Sequence, residues 1–206
     1  MKVGIFIFKD VEILDFTGPY EVFSSTRISS EVLNETNINA IYKNPSPFKI
    51  FTISSKNKNI VTTGGMKVIC DYNFLDAPNF DILLIPGGKG TRKLISNKSV
   101  LSWIYNKKNT KLIISICTGS LLLAASGLLK NRKATTHWSA FDLLRELSPS
   151  TSVLKKRYVI DKIFSSSGVA SGIDLSLKVV ENFYGKTVAK NTAKYMEYNL
   201  IKTQIL

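Results

Sequence analysis

The 206-residue chain is poor in the residues that staple or pin small proteins: two cysteines, one histidine, six prolines and two tryptophans. Two thiols, Cys70 and Cys117, do not look like a disulfide framework; they suit a reducing compartment, each judged alone. With one histidine and no Cys-x-x-Cys, no transition-metal site is expected. No apolar run reaches membrane-spanning length, since "SLLLAASGLL" is broken by serine and glycine. "MKVGIFIF" is too short for a secretory leader and runs into Asp10 and Glu12. The chain reads as cytoplasmic, with no membrane partner. Acidic residues are scarce too, 15 against 28 basic ones, for a net charge of +13. The lysines are scattered among asparagines ("KNKN", "NKK", "LKNRK") and no helix carries a basic face. The charge therefore reads as a compositional habit, with no specific nucleic-acid partner.

What is present is an ordinary globular balance, 44% hydrophobic and 21% charged, enough for one domain spanning 1–206. "KVGIFIF", "FKIFTIS", "MKVICD", "FDILLIPGG" and "KLIISI" are short apolar runs that read as strands. "VLSWIYNKK", "TGSLLLAASGLL" and "HWSAFDLLREL" have helical spacing, and two more helices are expected in "GIDLSLKVVENFYG" and "TVAKNTAKYMEYNLI". "LDFTGPYEVF" reads as a corner, with Pro19 in a first helical turn and Glu21 beside its positive end. "YVIDKIFSSSG" suggests a hairpin turning at Asp161-Lys162. Residues 29–47 are polar and end in "NPSP", the mark of a surface loop or insertion. Alternating strands and helices predict a mainly parallel sheet covered on both faces. In such sheets ligands bind beyond the carboxyl ends of the strands, where Cys117 and Gly87-Gly88 both fall.

Within "KLIISICTGSLLLAASGLLK" a lone thiol, Cys117, sits at the corner between a strand and a helix. "S-I-C-T-G" has the form of a nucleophile elbow with cysteine in place of serine. The tight turn needs small neighbours, which Gly119 and Ser120 supply. It also aims the next helix N-terminus at the sulfur, which should favour thiolate. The N–H of Thr118 is one candidate oxyanion donor and that of Gly88, in the "PGG" turn, a second. A free cysteine is more often a small buried hydrophobe. For Cys70 in "KVICDY" that reading keeps the advantage; for Cys117 the strand–Cys–small–Gly–helix context reverses it. "GGKG" lacks the ending of a phosphate-binding loop.

Three stretches together, "SICTGSLLLAASGLLKNRKATTHW", "DILLIPGGKG" and "LDFTGPYEVF", resemble the ThiJ/PfpI superfamily, relatives of the class I glutamine amidotransferase domains. Within it the likeness is to the isonitrile hydratase (cyclohexyl-isocyanide hydratase) branch, and it runs from Val3 to about Tyr184. The resemblance implies a flavodoxin-like three-layer α/β sandwich, a homodimer with the site near the interface, a small-molecule substrate and no cofactor. It matches Cys117 to the family nucleophile and Asp15 to the acidic residue that hydrogen-bonds the thiol. In peptidase-like and glyoxalase-like members that acid is usually glutamate and histidine often follows the cysteine. Here the pair is Asp15 and Cys117-Thr118, which favours the hydratase.

From the sequence Asp15 could equally be a turn former or cap. Beside a thiolate, burial and like charge would push it towards its protonated form. His137 lies twenty positions after Cys117; it is a tempting base, but a structural or interface role is the commoner one. Asp174, at the start of the next helix, is a candidate for the surroundings of the site, with helix capping as its default role. The expected chemistry is hydration of an isonitrile to an N-substituted formamide through a Cys117 thioimidate. The alternatives are a sensor or redox protein related to the ligand-sensing domains of AraC-type regulators, and another cysteine-dependent activity such as an amidase or 2-oxoaldehyde hydratase. Direct DNA reading is not expected, because the chain ends at Leu206 without room for helix-turn-helix units.

Overall fold

A computed structural model describes residues 1–28 and 43–199. Most of the loop expected over 29–47 thus lies outside the described residues. The strands are β1 (Lys2–Phe6), β2 (Lys49–Ser54), β3 (Asn59–Val61), β4 (Lys67–Ile69), β5 (Tyr72–Asn73), β6 (Ile82–Ile85), β7 (Leu112–Ile116), β8 (Lys133–Ala134), β9 (Ser152–Val153), β10 (Tyr158–Val159) and β11 (Ile163–Ser166). The helices are α1 (Ile13–Ser25), α2 (Thr91–Leu94), α3 (Lys98–Asn106), α4 (Gly119–Ala125), α5 (Phe141–Leu147) and α6 (Ser171–Tyr195).

Seven strands form one sheet in the order β10-β11-β7-β6-β1-β2-β5. Every pairing is parallel except the β10–β11 hairpin. Its five central strands follow the flavodoxin order, so the flavodoxin-like α/β expectation holds. β6 and β7 are buried at every position, as expected of strands covered on both faces. α1 and α6 pack together over one face, and α3, α4 and α5 form a row over the other. β3 and β4 pair only with each other: the strand expected in "MKVICD" forms as β4, but in a two-stranded hairpin with β3 and outside the main sheet.

Two local expectations fail at α1. Pro19 is not in the first turn but inside the helix, seventh of 13 residues, and Glu21 follows it in the second half. The helix starts earlier because Ile13 packs against the core at its first position, while Leu14 stays exposed. Pro19 removes the N–H that would have bonded Asp15 C=O. Glu21 accepts a 2.6 Å bond from Ser25 Oγ rather than meeting the helix start. Further on, the two helices expected after residue 170 are both present as the two halves of α6, separated at Gly185, where φ is +86° and the backbone is not helical. Gly127, also at positive φ, ends the stretch that begins with α4.

Chain order reverses between β1 and β6, and the loops there are stitched together. Glu12 N–H donates to Gly87 O at 3.0 Å and Gly90 N–H to Asp10 O at 3.1 Å. The crevice at such a reversal is where this sheet architecture binds ligands. β7 delivers Cys117 to the same edge. Its turn admits α4 only because residue 119 lacks a side chain: a Cβ there would lie 2.0 Å from Ile85 O, a backbone atom that cannot rotate away. Gly119→Ala is expected to cost about 2–4 kcal/mol, read as a lowered midpoint in thermal unfolding. An unchanged midpoint would mean that the elbow relaxes more easily than this packing allows.

Candidate active site

Cys117 adopts φ +54°, a left-handed conformation that costs a non-glycine residue about 1–3 kcal/mol. Three hydrogen bonds fix it. Its N–H donates to Ser166 O at 3.0 Å, and its carbonyl accepts from Thr136 Oγ1 at 3.0 Å and Ser120 Oγ at 3.1 Å. The strain turns the thiol out of the strand towards Asp15, and the residue is 6% exposed. This is the cysteine elbow expected from the sequence.

Asp15 lies in the first turn of α1 with no exposed surface. Its Oδ2 accepts a 2.9 Å bond from Gly87 N–H. Its Oδ1 is buried with no hydrogen-bond partner of ordinary geometry among the described groups. Only glycine fits at 87, since a Cβ there would meet Thr118 N at 2.5 Å and Asp15 Oδ2 at 2.8 Å. The close approach of the Gly87 and Thr118 backbones and the Asp15 carboxyl brings acid, thiol and donor together.

Burial pushes the Asp15 carboxyl up to about 7; Gly87 N–H resists, the Glu12 charge adds to the rise and Cys117 lowers it slightly. Burial also pushes the Cys117 thiol up to about 12, followed by the Asp15 charge, while the Thr118 backbone N–H pulls the other way. The expectation that the helix N-terminus would favour thiolate is therefore reversed. Desolvation of a charge outweighs the dipole of a seven-residue helix. The resting pair is a thiol beside a carboxyl that changes protonation near neutrality.

Thr118 N–H faces the sulfur, as expected. Gly88 N–H does not stand free: it donates to Thr118 Oγ1 at 3.0 Å. Thr91 Oγ1 lies 3.2 Å from Thr118 Oγ1 and accepts a 3.1 Å bond from Arg92 Nη1. The sequence reading missed Thr91 and Arg92. They follow directly on "PGGKG", where Gly88 alone drew notice as a candidate donor. Asp174 is drawn away from the thiol into a buried cluster: Arg157 Nε donates to its Oδ2 at 2.6 Å and Tyr198 OH to its Oδ1 at 3.1 Å. It ties the hairpin and chain end to α6. His137 is half-buried, its Nδ1 2.8 Å from Ser139 Oγ at the start of a short 3₁₀ turn. Cys70 is buried and its thiol pushed up to about 11, chiefly by desolvation. Among the described residues no three His, Cys, Asp or Glu side chains gather as metal ligands, and no helix is long and apolar enough to cross a membrane.

A flavodoxin-type sheet that presents a strained cysteine to a buried carboxyl at its switch point defines a class of cysteine-elbow α/β proteins. The chain belongs to the DJ-1/PfpI family, whose model matches residues 1–182. It is 30% identical to the isonitrile hydratase of Pseudomonas putida, over 96% of this chain and 78% of that protein. It is 30% identical to the HTH-type transcriptional regulator CdhR of Pseudomonas aeruginosa over 69% of this chain, but spans only 43% of that regulator. Likeness to the glutathione-independent glyoxalase DJR-1.2 of Caenorhabditis elegans is 28%, over 66% of this chain and 74% of that enzyme. Among solved structures, a ThiJ/PfpI family protein from Pseudomonas syringae superposes with a TM-score of 0.82 at 26% identity, covering 97% of this chain and 75% of that one.

The raised carboxyl pKa has a consequence for stability. Below its unfolded value of 3.8 Asp15 is protonated in both states and costs nothing; above about 7 it is charged in both, and folding must bury that charge. Stability is thus lost as pH rises through that window. Asp15→Asn should be more stable than the wild type by roughly 1–4 kcal/mol at pH 8 and indistinguishable from it near pH 4. Denaturant unfolding at the two pH values measures the difference.

Proposed function

We propose that this protein hydrates an isonitrile to an N-substituted formamide, with Cys117 as nucleophile and Asp15 as the single acid–base group. The observation that carries the reading is the buried Asp15 carboxyl, one oxygen held by Gly87 N–H and the other unpartnered, beside a thiol that is protonated at rest. The likeness to the Pseudomonas putida isonitrile hydratase supports it.

The electron balance needs one proton moved twice. The Asp15 carboxylate takes the thiol proton as Sγ attacks the terminal carbon of R–N≡C, and then delivers it to that carbon. The product is a thioimidate, R–N=CH–S–Cys117. Asp15, again a carboxylate, takes a proton from water as the oxygen adds to the same carbon. Collapse breaks the C–S bond, the nitrogen and sulfur recover protons, and R–NH–CHO leaves. Thr118 N–H holds the sulfur as its charge grows. Gly88 acts one step back, through the Thr118 hydroxyl.

A ligand- or redox-sensing role is the second reading, favoured by the likeness to CdhR, and it requires binding or thiol modification without turnover. A glyoxalase-like reading asks for a histidine base at the sulfur. His137 Nδ1 is turned to Ser139 instead.

The test is formamide production from cyclohexyl or aryl isocyanide. Cys117→Ala should abolish turnover and Asp15→Asn should lower kcat/KM at least ~10²-fold. Because the attacking pair needs the carboxylate, wild-type kcat/KM should rise with pH through about 7. The Asp15→Asn residual should lose that step. No formamide from a protein whose Cys117 is still alkylated would transfer the weight to the sensor.

A further inference from the structure

Two residues that clamp the elbow are followed directly by the walls of a cavity. Thr136, which holds Cys117 O, precedes His137; Ser166, which holds Cys117 N, precedes Ser167. His137, Trp138, Phe141, Lys155, Lys156 and Gly168 are among the residues that line a cavity of about 470 Å³ there. Its size suits a small organic ligand. The wall is largely apolar and aromatic, with the His137 and Trp138 ring centroids 5.3 Å apart. A Cβ at Gly168 would lie 3.3 Å from the His137 ring, so the missing side chain leaves that ring its place.

The rim is cationic. Lys155 and Lys156 are exposed, which leaves their stems along the wall and their ammonium groups in water. Arg92, hydrogen-bonded through Thr91 to the Thr118 hydroxyl, adds a third positive charge next to His137. None of the lining residues is acidic. Asp142, next to Phe141, is paired with Arg145 at 2.7 Å. Trp138 is 76% exposed, a large aromatic surface with no packing reason to stand beside the site.

We propose that this cavity binds the R group of the substrate, and that the group is a flat apolar body carrying a carboxylate or similar anion. The assignment deepens the isonitrile reading and rests on it for the reacting end. A cationic R group is repelled by Lys155, Lys156 and Arg92. A neutral one gains the aromatic wall alone, while an anionic one gains the wall and the rim together.

Trp138 supplies a readout independent of turnover, because the second tryptophan, Trp103, is stacked on Phe74 at 4.1 Å, away from the cavity. The probes are 4-formamidobenzoate, the product expected from 4-isocyanobenzoate, and its methyl ester. At low salt the acid should quench Trp138 fluorescence with a Kd roughly tenfold below that of the ester. The gap should close at high salt and in Lys155→Ala/Lys156→Ala, and Trp138→Phe should remove the signal. Equal affinity for acid and ester, or a preference that survives the double lysine variant, overturns the proposal. Selective binding of the acid by a protein that turns over no isonitrile upholds the cavity and sinks the hydratase. Turnover of both isocyanides without any preference for the acid does the reverse.

Discussion

The site hangs on one close approach. The Gly87 backbone lies against both Thr118 and the Asp15 carboxylate, and donates its N–H to the latter. That contact fixes three loops from three parallel strands within a few ångströms. It also strands a carboxyl where water does not reach it, and the burial that costs stability is what the proposed chemistry draws on. A carboxyl at the surface would be ionised through the whole physiological range and could not return a proton to carbon. Here the low-polarity setting lifts it to about 7, where it can both take and give one.

The thiol answers to the same setting. A cysteine at a helix start is commonly read as a thiolate, because the helix end offers partial positive charge. Desolvation and the neighbouring acid override that here. Thiol and carboxyl are one coupled unit, and in the proposed reaction the unit suits an addition in which sulfur and hydrogen go to the same carbon. The backbone strain at Cys117 is held by ordinary hydrogen bonds, one donated to Ser166 O and two accepted from Thr136 and Ser120. Two of those partners also set the direction of the chain into the cavity wall. The site and its pocket are thus braced by the same strand ends.

Much of this was legible in the chain. The continuous apolar runs marked the parallel strands, because a strand covered on both faces has no polar side to show. "SICTG" marked the elbow, because only small residues admit that turn. Other features were not legible. Pro19 read as a helix start, yet the helix begins at Ile13, which packs against the core. Gly88 read as a free donor, but its N–H meets Thr118 Oγ1 across 30 residues of sequence. Asp174 read as a cap or a neighbour of the site, and the half-buried Arg157 claimed it. Arg92 had no signature, since an isolated arginine after a glycine turn looks like any surface charge.

The sequence by itself determined the periodicities, and with them the strands, the helices and the strand-end position of Cys117. The glycine requirement at 87 and 119 is tertiary instead, because the atoms a Cβ would meet there belong to Thr118, Asp15 and Ile85, far off in the chain. Only the tertiary structure decided which way the ionisations lean and which donors are free. Those depend on burial and on partners 72 residues apart, as with Asp15 and Gly87. Desolvation is a property of everything that surrounds a group, and no stretch of sequence contains its own surroundings.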